Sequence, residues 1–425
     1  MWLSFDHLIL SELALNSSTV PSRSVRIIGG SLGGLFAANL LYRAGWDVRV
    51  YERSPEELNG RGAGIVTHPE LFEALQRCGV DVDDSIGVRV YSRVTLAQDG
   101  RVLARLPMEQ VLTAWGRLFE VLRRALPRKC YVNGVSALGV TDAEEGVHLS
   151  LSDGRTERVD LVVAADGIRS TLRHQLAPQT QPHYAGYIAW RGLVEELAIS
   201  SATRTALFEH FAFCLPPGEQ MLGYPVAGQG NSTTQGERRF NFVWYRPADE
   251  ATTLADLLTD RTGHLHARGI APQQIRPEVI ATMRADAHRV LSAQFAELID
   301  LTAQPFFQPI YDLASKQIVF GRTVLLGDCA FVARPHCGMG VTKAAGDAMA
   351  LVRALGEHPC VPSALAAYQA ERLTFGNAVV DHARHLGAYM QAQILTPAER
   401  AMAERYHSPA AVMAETAVSR AFSIQ

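Results

Sequence analysis

The chain has 425 residues, 48% apolar and 20% charged, with 40 Lys and Arg against 43 Asp and Glu. Its length predicts two to three domains at ~150 residues each, and its apolar share excludes an intrinsically disordered chain. The net charge of −3 argues against a nucleic-acid partner, and the glycines and prolines follow no collagen-like period.

Residues 1–24 read as an extension outside the fold. Asp6 and Glu12 interrupt its short apolar stretch and no Lys or Arg precedes it, which argues against a signal peptide. No window holds the ~18 apolar residues of a membrane-spanning helix, so no membrane partner is expected and the location is cytoplasmic by default. Cys78, Cys130, Cys214, Cys329, Cys337 and Cys360 form no Cys-x-x-Cys pair. They predict reduced thiols and no metal site.

The fold is expected to start at Val25. Val25–Ile28 has the short β-branched run of a buried parallel strand, and Gly29-Gly-Ser-Leu-Gly-Gly34 follows at once. A helix over Leu35–Ala44 and a strand over Asp47–Glu52 complete a βαβ unit. A second helix is expected over Pro69–Cys78. Residues 111–126 have helical spacing, Val132–Leu151 reads as paired strands, and Leu161–Ala165 as another buried strand. From about residue 181 aromatics cluster with period two. Phe240, Phe242 and Trp244 share one face, as in a sheet set against a core or a ligand. Thr323–Asp328 is again a buried strand ending in a turn. Helices are expected over about Val341–Leu355 and Ser363–Ile394, and residues beyond 400 have weak pattern. The expected organisation is therefore a discontinuous first domain, 25–180 and 320–400, an inserted second domain, 181–319, and a tail, 401–425.

Three strand ends carry the chemistry. A strand, a tight glycine turn and a helix N-terminus make a phosphate site from backbone N–H groups and the helix dipole. Gly29 permits the turn and Gly34 the close approach of helix and strand, while Ser31 replaces the usual middle glycine. Glu52 ends the next strand at the position of an acid that binds ribose hydroxyls. Asp166-Gly167, followed by Arg169, closes the second strand end. Gly327-Asp328 closes the third and leads to Arg334-Pro-His-Cys-Gly-Met-Gly340. Ligands collect at such carboxyl ends in open α/β sheets. The fold class is α/β: a Rossmann-like domain with an inserted sheet-rich domain and C-terminal helices.

In this order of motifs, residues 25–390 resemble the class A flavin-dependent aromatic hydroxylases typified by p-hydroxybenzoate hydroxylase. Four stretches resemble the 2,6-dihydroxypyridine 3-hydroxylase subgroup: Gly29-Gly-Ser with Tyr51-Glu-Arg-Ser-Pro55, Tyr184–Gly192, Tyr224-Pro225 with Asn241-Phe242, and Arg334-Pro-His336. The resemblance implies FAD as cofactor, NADH or NADPH as a transient donor without its own Rossmann domain, and O2. It implies hydroxylation of an electron-rich aromatic or heteroaromatic ring through a C4a-hydroperoxyflavin, and a possible homodimer. Gly29, Ser31, Gly33 and Gly34 would serve the pyrophosphate, Glu52 with Arg53 the adenosine end, and Asp328 the ribityl chain. Pro335, Gly338, Gly340 and Val341 would border the flavin ring, and Asp166 with Arg169 would serve FAD and the nicotinamide donor. The sequence departs from many relatives at Trp115, where they have Arg, and at Thr342, where they have Asn. A same-fold oxidase, epoxidase or decarboxylating monooxygenase, and a non-catalytic flavin protein, are the alternatives. The tryptophan motif of flavin halogenases is absent.

Four side chains are candidates for the chemistry. His336 could accept a phenolic proton or orient the ring, with a pKa near the working pH, or it could cap its loop. Arg191 could pair with an anionic substrate or steer the flavin, or form a surface ion pair. Tyr224 and Phe211 face substrate or core.

Overall fold

The computed structural model of the chain describes residues 23–58, 64–394 and 396–418. Residues 1–22 of the expected extension lie outside the described residues, and Ser24 already opens the first strand.

A six-stranded sheet carries the glycine turn. Its order is Val319–Phe320, Thr323–Leu325, Leu161–Ala164, Ser24–Ile28, Asp47–Glu52 and Tyr131–Asn133. All neighbours are parallel except the Val319–Phe320 edge. The central strands are apolar throughout because helices cover the sheet: Val25, Ile27, Val162 and Val163 are all fully buried. The helices Leu32–Arg43 and Gly340–Glu357 pack on one another. Three strand ends, Ile28, Ala164 and Leu325, therefore lie side by side in register. This juxtaposition brings together motifs that are far apart in the chain. A small three-stranded sheet, 137–159, packs beside them.

The second sheet has nine strands and is mostly antiparallel. Its order is Phe331–Val332, Phe306–Ala314, His183–Glu195, Arg239–Pro247, Gln220–Val226, His210–Cys214, Val88–Leu96, Val102–Ala114 and Gly64–Val66. The alternation in the strand at 239–247 separates two environments. Phe240, Phe242 and Trp244 enter an apolar cluster with the helices Pro277–Val290 and Ala293–Leu301. Val243 and Tyr245 join a second cluster on the opposite face, with Phe211 and Tyr224.

Three expectations need correction. Residues 64–114, assigned to the first domain, supply three strands to the nine-stranded sheet, because Val88–Leu96 pairs in parallel with His210–Cys214. Within the helical spacing at 111–126, residues 111–114 finish a strand, and the helix runs only from Trp115 to Ala125. The expected tail at 401–425 contains helical turns as far as it is described. Pro397–Tyr406 starts with a capping box between Thr396 and Glu399, and Pro409–Glu415 follows, capped by Ser408. No helix among the described residues is long and apolar enough to cross a membrane.

Candidate active site

The glycine turn is fixed by contacts that exclude a side chain. Gly29 has φ +101°, and a Cβ there would lie 2.4 Å from the Ala165 carbonyl oxygen. A Cβ on Gly34 would lie 1.9 Å from the Gly29 carbonyl oxygen. Gly33 and Gly34 are thus packing positions on the helix, with Gly33 against Ala344 and Leu326. Ser31 stands at the helix N-cap, but its side chain caps no amide. The first-turn N–H groups are left without that cap beside a cavity of about 400 Å3. Gly29, Ser31, Glu52, Arg53, Trp115, Asp166 and Arg169 line this cavity. Glu52 is buried. It accepts from Gly30 N at 2.8 Å and Ser54 N at 2.9 Å, so it braces the turn as well as lining the cavity.

Arg169 also lines a second cavity of about 780 Å3, so the two cavities meet at this residue. The larger one runs between the strand-end loops and the nine-stranded sheet. Asp328, Pro335, His336, Gly338, Gly340 and Val341 form its loop side. Asp328 opens to the cavity while protein surrounds it otherwise. Desolvation pushes its carboxyl up, with Lys343 opposing and Asp347 reinforcing. The helix from Gly340 has no side-chain N-cap, and Gly338 takes a left-handed φ of +70° to enter it. The loop is pinned by Arg334, whose guanidinium pairs with buried Asp312 through Nε at 2.9 Å and Nη2 at 2.8 Å. An elongated, anionic, hydroxyl-rich cofactor fits this arrangement. Two helix N-termini without side-chain caps, a glycine cradle that a Cβ would fill, and two adjoining cavities match FAD.

The sheet side of the larger cavity is aromatic. Phe211, Tyr224 and Tyr245 line it, with Arg191 among them. Phe211 and Tyr224 are 1% and 4% exposed, with ring centroids 4.9 Å apart, so they serve core and cavity together. Burial raises the Tyr224 hydroxyl pKa, and the Arg191 charge opposes that shift. Arg191 Nε is buried with no hydrogen-bond partner among the described residues. The side chain as a whole is half-buried.

His336 departs from the expectation of a base poised near neutral pH. It is 2% exposed, and Nε2 lies 2.9 Å from the Ala383 carbonyl oxygen. A carbonyl only accepts, so this contact assigns the proton to Nε2. Nδ1 lies 3.5 Å from the Tyr187 hydroxyl. Desolvation lowers the pKa to about 3, against the Ala383 contact and helped by the Arg334 charge. The imidazole lines the cavity as a neutral, fixed group.

Further residues complete the site. Tyr187 and Tyr245 flank His336, with Tyr245 edge-on at 5.5 Å. Tyr245 had a signal in the alternation at 240–245, opposite the face that was counted. Trp115 lines the smaller cavity and stacks on Phe119 at 5.1 Å. Thr342 lies 3.0 Å from His68 Nδ1. Cys329 and Cys337 are buried free thiols, and burial pushes the Cys337 pKa up to about 11, which suits packing rather than nucleophilic attack.

The comparisons with known proteins agree with this geometry. A family profile described as FAD binding domain matches residues 22–93 and 307–383, and one described as FAD binding domain-like matches 184–312. The chain is 29% identical over 368 residues to a 2,6-dihydroxypyridine 3-monooxygenase of Paenarthrobacter nicotinovorans, spanning 86% of this chain and 91% of the relative. It is 30% identical over 382 residues to an aurachin C monooxygenase/isomerase of Stigmatella aurantiaca, spanning 86% and 88%. The solved structure of 2,6-dihydroxypyridine-3-hydroxylase from Arthrobacter nicotinovorans superposes with a TM-score of 0.81 at 28% identity, covering 90% of this chain and 96% of that one.

Proposed function

Because this chain belongs to the class A FAD-dependent aromatic hydroxylases, we propose that its larger cavity takes a small, acidic hydroxylated aromatic or heteroaromatic ring. Bound FAD, reduced by NADH or NADPH, supplies activation of O2 and delivery of one oxygen atom to the ring, the other leaving as water. The first-turn amides after Ser31 would hold the pyrophosphate, with Gly29 and Gly34 letting the backbone approach. Glu52 and Arg53 would meet the adenosine ribose. Asp328 would accept from ribityl hydroxyls. Pro335 would border the flavin ring, and the backbone N–H groups of Gly338, Gly340 and Val341 would face it at the positive end of a helix. Asp166 and Arg169 would stand where the cofactor passes between the cavities.

Arg191 carries the substrate reading. An arginine with an unpartnered buried nitrogen inside an aromatic-walled cavity favours a ring that bears negative charge. Phe211 and Tyr224 would stack on that ring and exclude water. His336, neutral and held by Ala383 and Tyr187, would border the ring and help position it rather than act as a base at neutral pH. A cytoplasmic setting is supported by the reduced nicotinamide requirement and by the five buried free thiols.

The test combines FAD-loaded protein, NADH or NADPH, and a panel of hydroxypyridines and phenols that includes 2,6-dihydroxypyridine. Nicotinamide oxidation, H2O2 and 18O incorporation from 18O2 are followed together. Acidic hydroxylated rings should stimulate oxidation and gain one 18O atom. Stimulation by uncharged rings alone would overturn the substrate class. H2O2 without labelled product across the panel would indicate an oxidase.

A further inference from the structure

Arg93 is fully buried and has no acidic partner among the described residues, which is rare for a charged side chain. Its guanidinium lies 4.9 Å over the Phe211 ring. All five of its N–H donors are engaged. Nη1 donates to the Met413 carbonyl at 2.7 Å and to the Thr416 carbonyl. Nη2 donates to the Ala417 carbonyl at 3.1 Å and to Gln110 Oε1 at 2.6 Å, and Nε to the same Oε1 at 3.1 Å. Gln110 Nε2 adds a further donor to the Ala417 carbonyl at 3.1 Å. Three carbonyls at the C-terminal end of the Pro409–Glu415 helix thus converge on one cation, where the helix dipole also favours positive charge.

The segment held this way touches the flavin loop. Ala417 N donates to the His336 carbonyl at 2.9 Å. A Cβ on Gly338 would lie 2.8 Å from Ala417 Cα. Ala417 itself has φ +53°, a left-handed conformation that a residue with a side chain rarely takes. Thr416 and Ala417 line the larger cavity, and Val412, Met413 and Ala417 join the apolar cluster of Phe211 and Tyr224. A strained residue, a fully coordinated buried cation and a main-chain bond to the flavin loop all fix one surface of one cavity.

We propose that residues 412–417 form a wall of the reaction cavity, that Arg93 is the positioning residue which seats this wall, and that Ala417 sets the space between it and the flavin loop. This rests on the reading of that cavity as the FAD and substrate site. Arg93 acts through Ala417 on the loop at 335–340, without touching the reacting atoms.

Hydrogen exchange on the wild-type FAD-loaded protein is the first measurement. The Ala417 amide should be protected and should exchange in step with those of Cys337 and Gly338. Free exchange at 413–417 beside a protected 335–340 loop would overturn the proposal, and this readout needs no variant to fold. The second measurement is iodide quenching of the bound flavin's fluorescence at matched ionic strength and equal FAD occupancy. Arg93→Met should raise quenching severalfold and increase H2O2 per nicotinamide oxidised, and Arg93→Lys should restore part of both. Ala417→Gly keeps the carbonyl but removes the Cβ beside Gly338, so quenching should rise, though less than in Arg93→Met, and no rise would remove the spacing role. Arg93→Met with faster exchange at 413–417 but unchanged quenching and coupling would overturn the wall. Loss of FAD binding in the wild type would instead refute the reading of the cavity.

Discussion

The His336 imidazole and the Ala383 carbonyl meet at 2.9 Å, and this bond leaves the ring's Nδ1 as its one acceptor. Protonating Nδ1 would place a full charge in a site 2% exposed, near the Arg334 cation. The ring therefore stays neutral down to a pKa of about 3.

Acid should accordingly destabilise the protein through this residue. The folded pKa is about 3 and the ordinary value is 6.5. Between these values the unfolded chain binds a proton that the folded chain does not, so stability falls as pH drops from 6.5 towards 3. His336→Gln should flatten this part of a Tm-against-pH curve. The same variant should leave any ionisation near pH 6–7 in the hydroxylation rate unchanged. A wild-type ionisation in that range which disappears in His336→Gln would restore the general-base role.

The nucleotide-binding half was legible because its geometry is local. Val25–Ile28, the glycine turn and Glu52 are contiguous, and the contacts at Gly29 and Gly34 demand glycine whatever the distant sequence. The capping box at Thr396 and Glu399 also stands in the sequence as Thr-Pro-Ala-Glu, although no helix was expected to start there. Arg93 was not. It shares a strand and an alternation phase with Arg89, whose side chain is 44% exposed, and nothing local separates the two. A shift in register between Val90 and Ser92, together with the distant 413–417 segment, buries one and not the other. His336 stands beside the glycine cradle in the sequence, but its pKa is set by burial, with the Ala383 carbonyl opposing, and sequence spacing brings neither to it.

Asp328→Ala should weaken FAD binding more than substrate binding. Its carboxyl faces the cavity at the Gly327–Cys329 turn, where ribityl hydroxyls would donate to it. Charge-assisted bonds of this kind contribute on the order of 1–3 kcal/mol, roughly a 5- to 150-fold rise in the FAD Kd. Titration of apoprotein with FAD measures this, and an unchanged Kd would contradict the role.

Gly33→Ala and Gly34→Ala should differ although they are neighbours on one helix. A Cβ on Gly33 meets its nearest atoms at 3.4 Å, an ordinary contact, and alanine favours the helix. A Cβ on Gly34 meets the Gly29 carbonyl oxygen at 1.9 Å, so the helix must shift away from the turn. Gly34→Ala should lose about 1–3 kcal/mol of stability and most of its FAD, while Gly33→Ala keeps both. Thermal melts and flavin content of the two proteins make the comparison, and equal losses would remove the packing argument.

The Arg191 prediction turns on charge rather than size. Its guanidinium lies among Phe211, Tyr224 and Tyr245, and its Nε has no hydrogen-bond partner among the described residues. A half-buried cation in that state gains most from an anion that brings two acceptor oxygens, because fork-shaped pairing satisfies several donors at once. Arg191→Met keeps the apolar stem and removes the charge. For ring substrates bearing a carboxylate or an ionised hydroxyl, KM should rise on the order of 10- to 100-fold, as expected for losing one charged hydrogen-bond pair of about 1.5–3 kcal/mol. For uncharged rings of the same size, KM should change less than threefold or improve, since a half-buried charge has been replaced by an apolar group. Arg191→Lys should fall between, because an ammonium keeps the charge without the planar fork. Flavin content separates this from the alternative in which Arg191 steers the flavin. That role would change the flavin absorption spectrum in Arg191→Met before any substrate is added, and would slow charged and uncharged rings alike. A KM ratio between charged and uncharged rings equal to that of the wild type would retire the anion-pairing role.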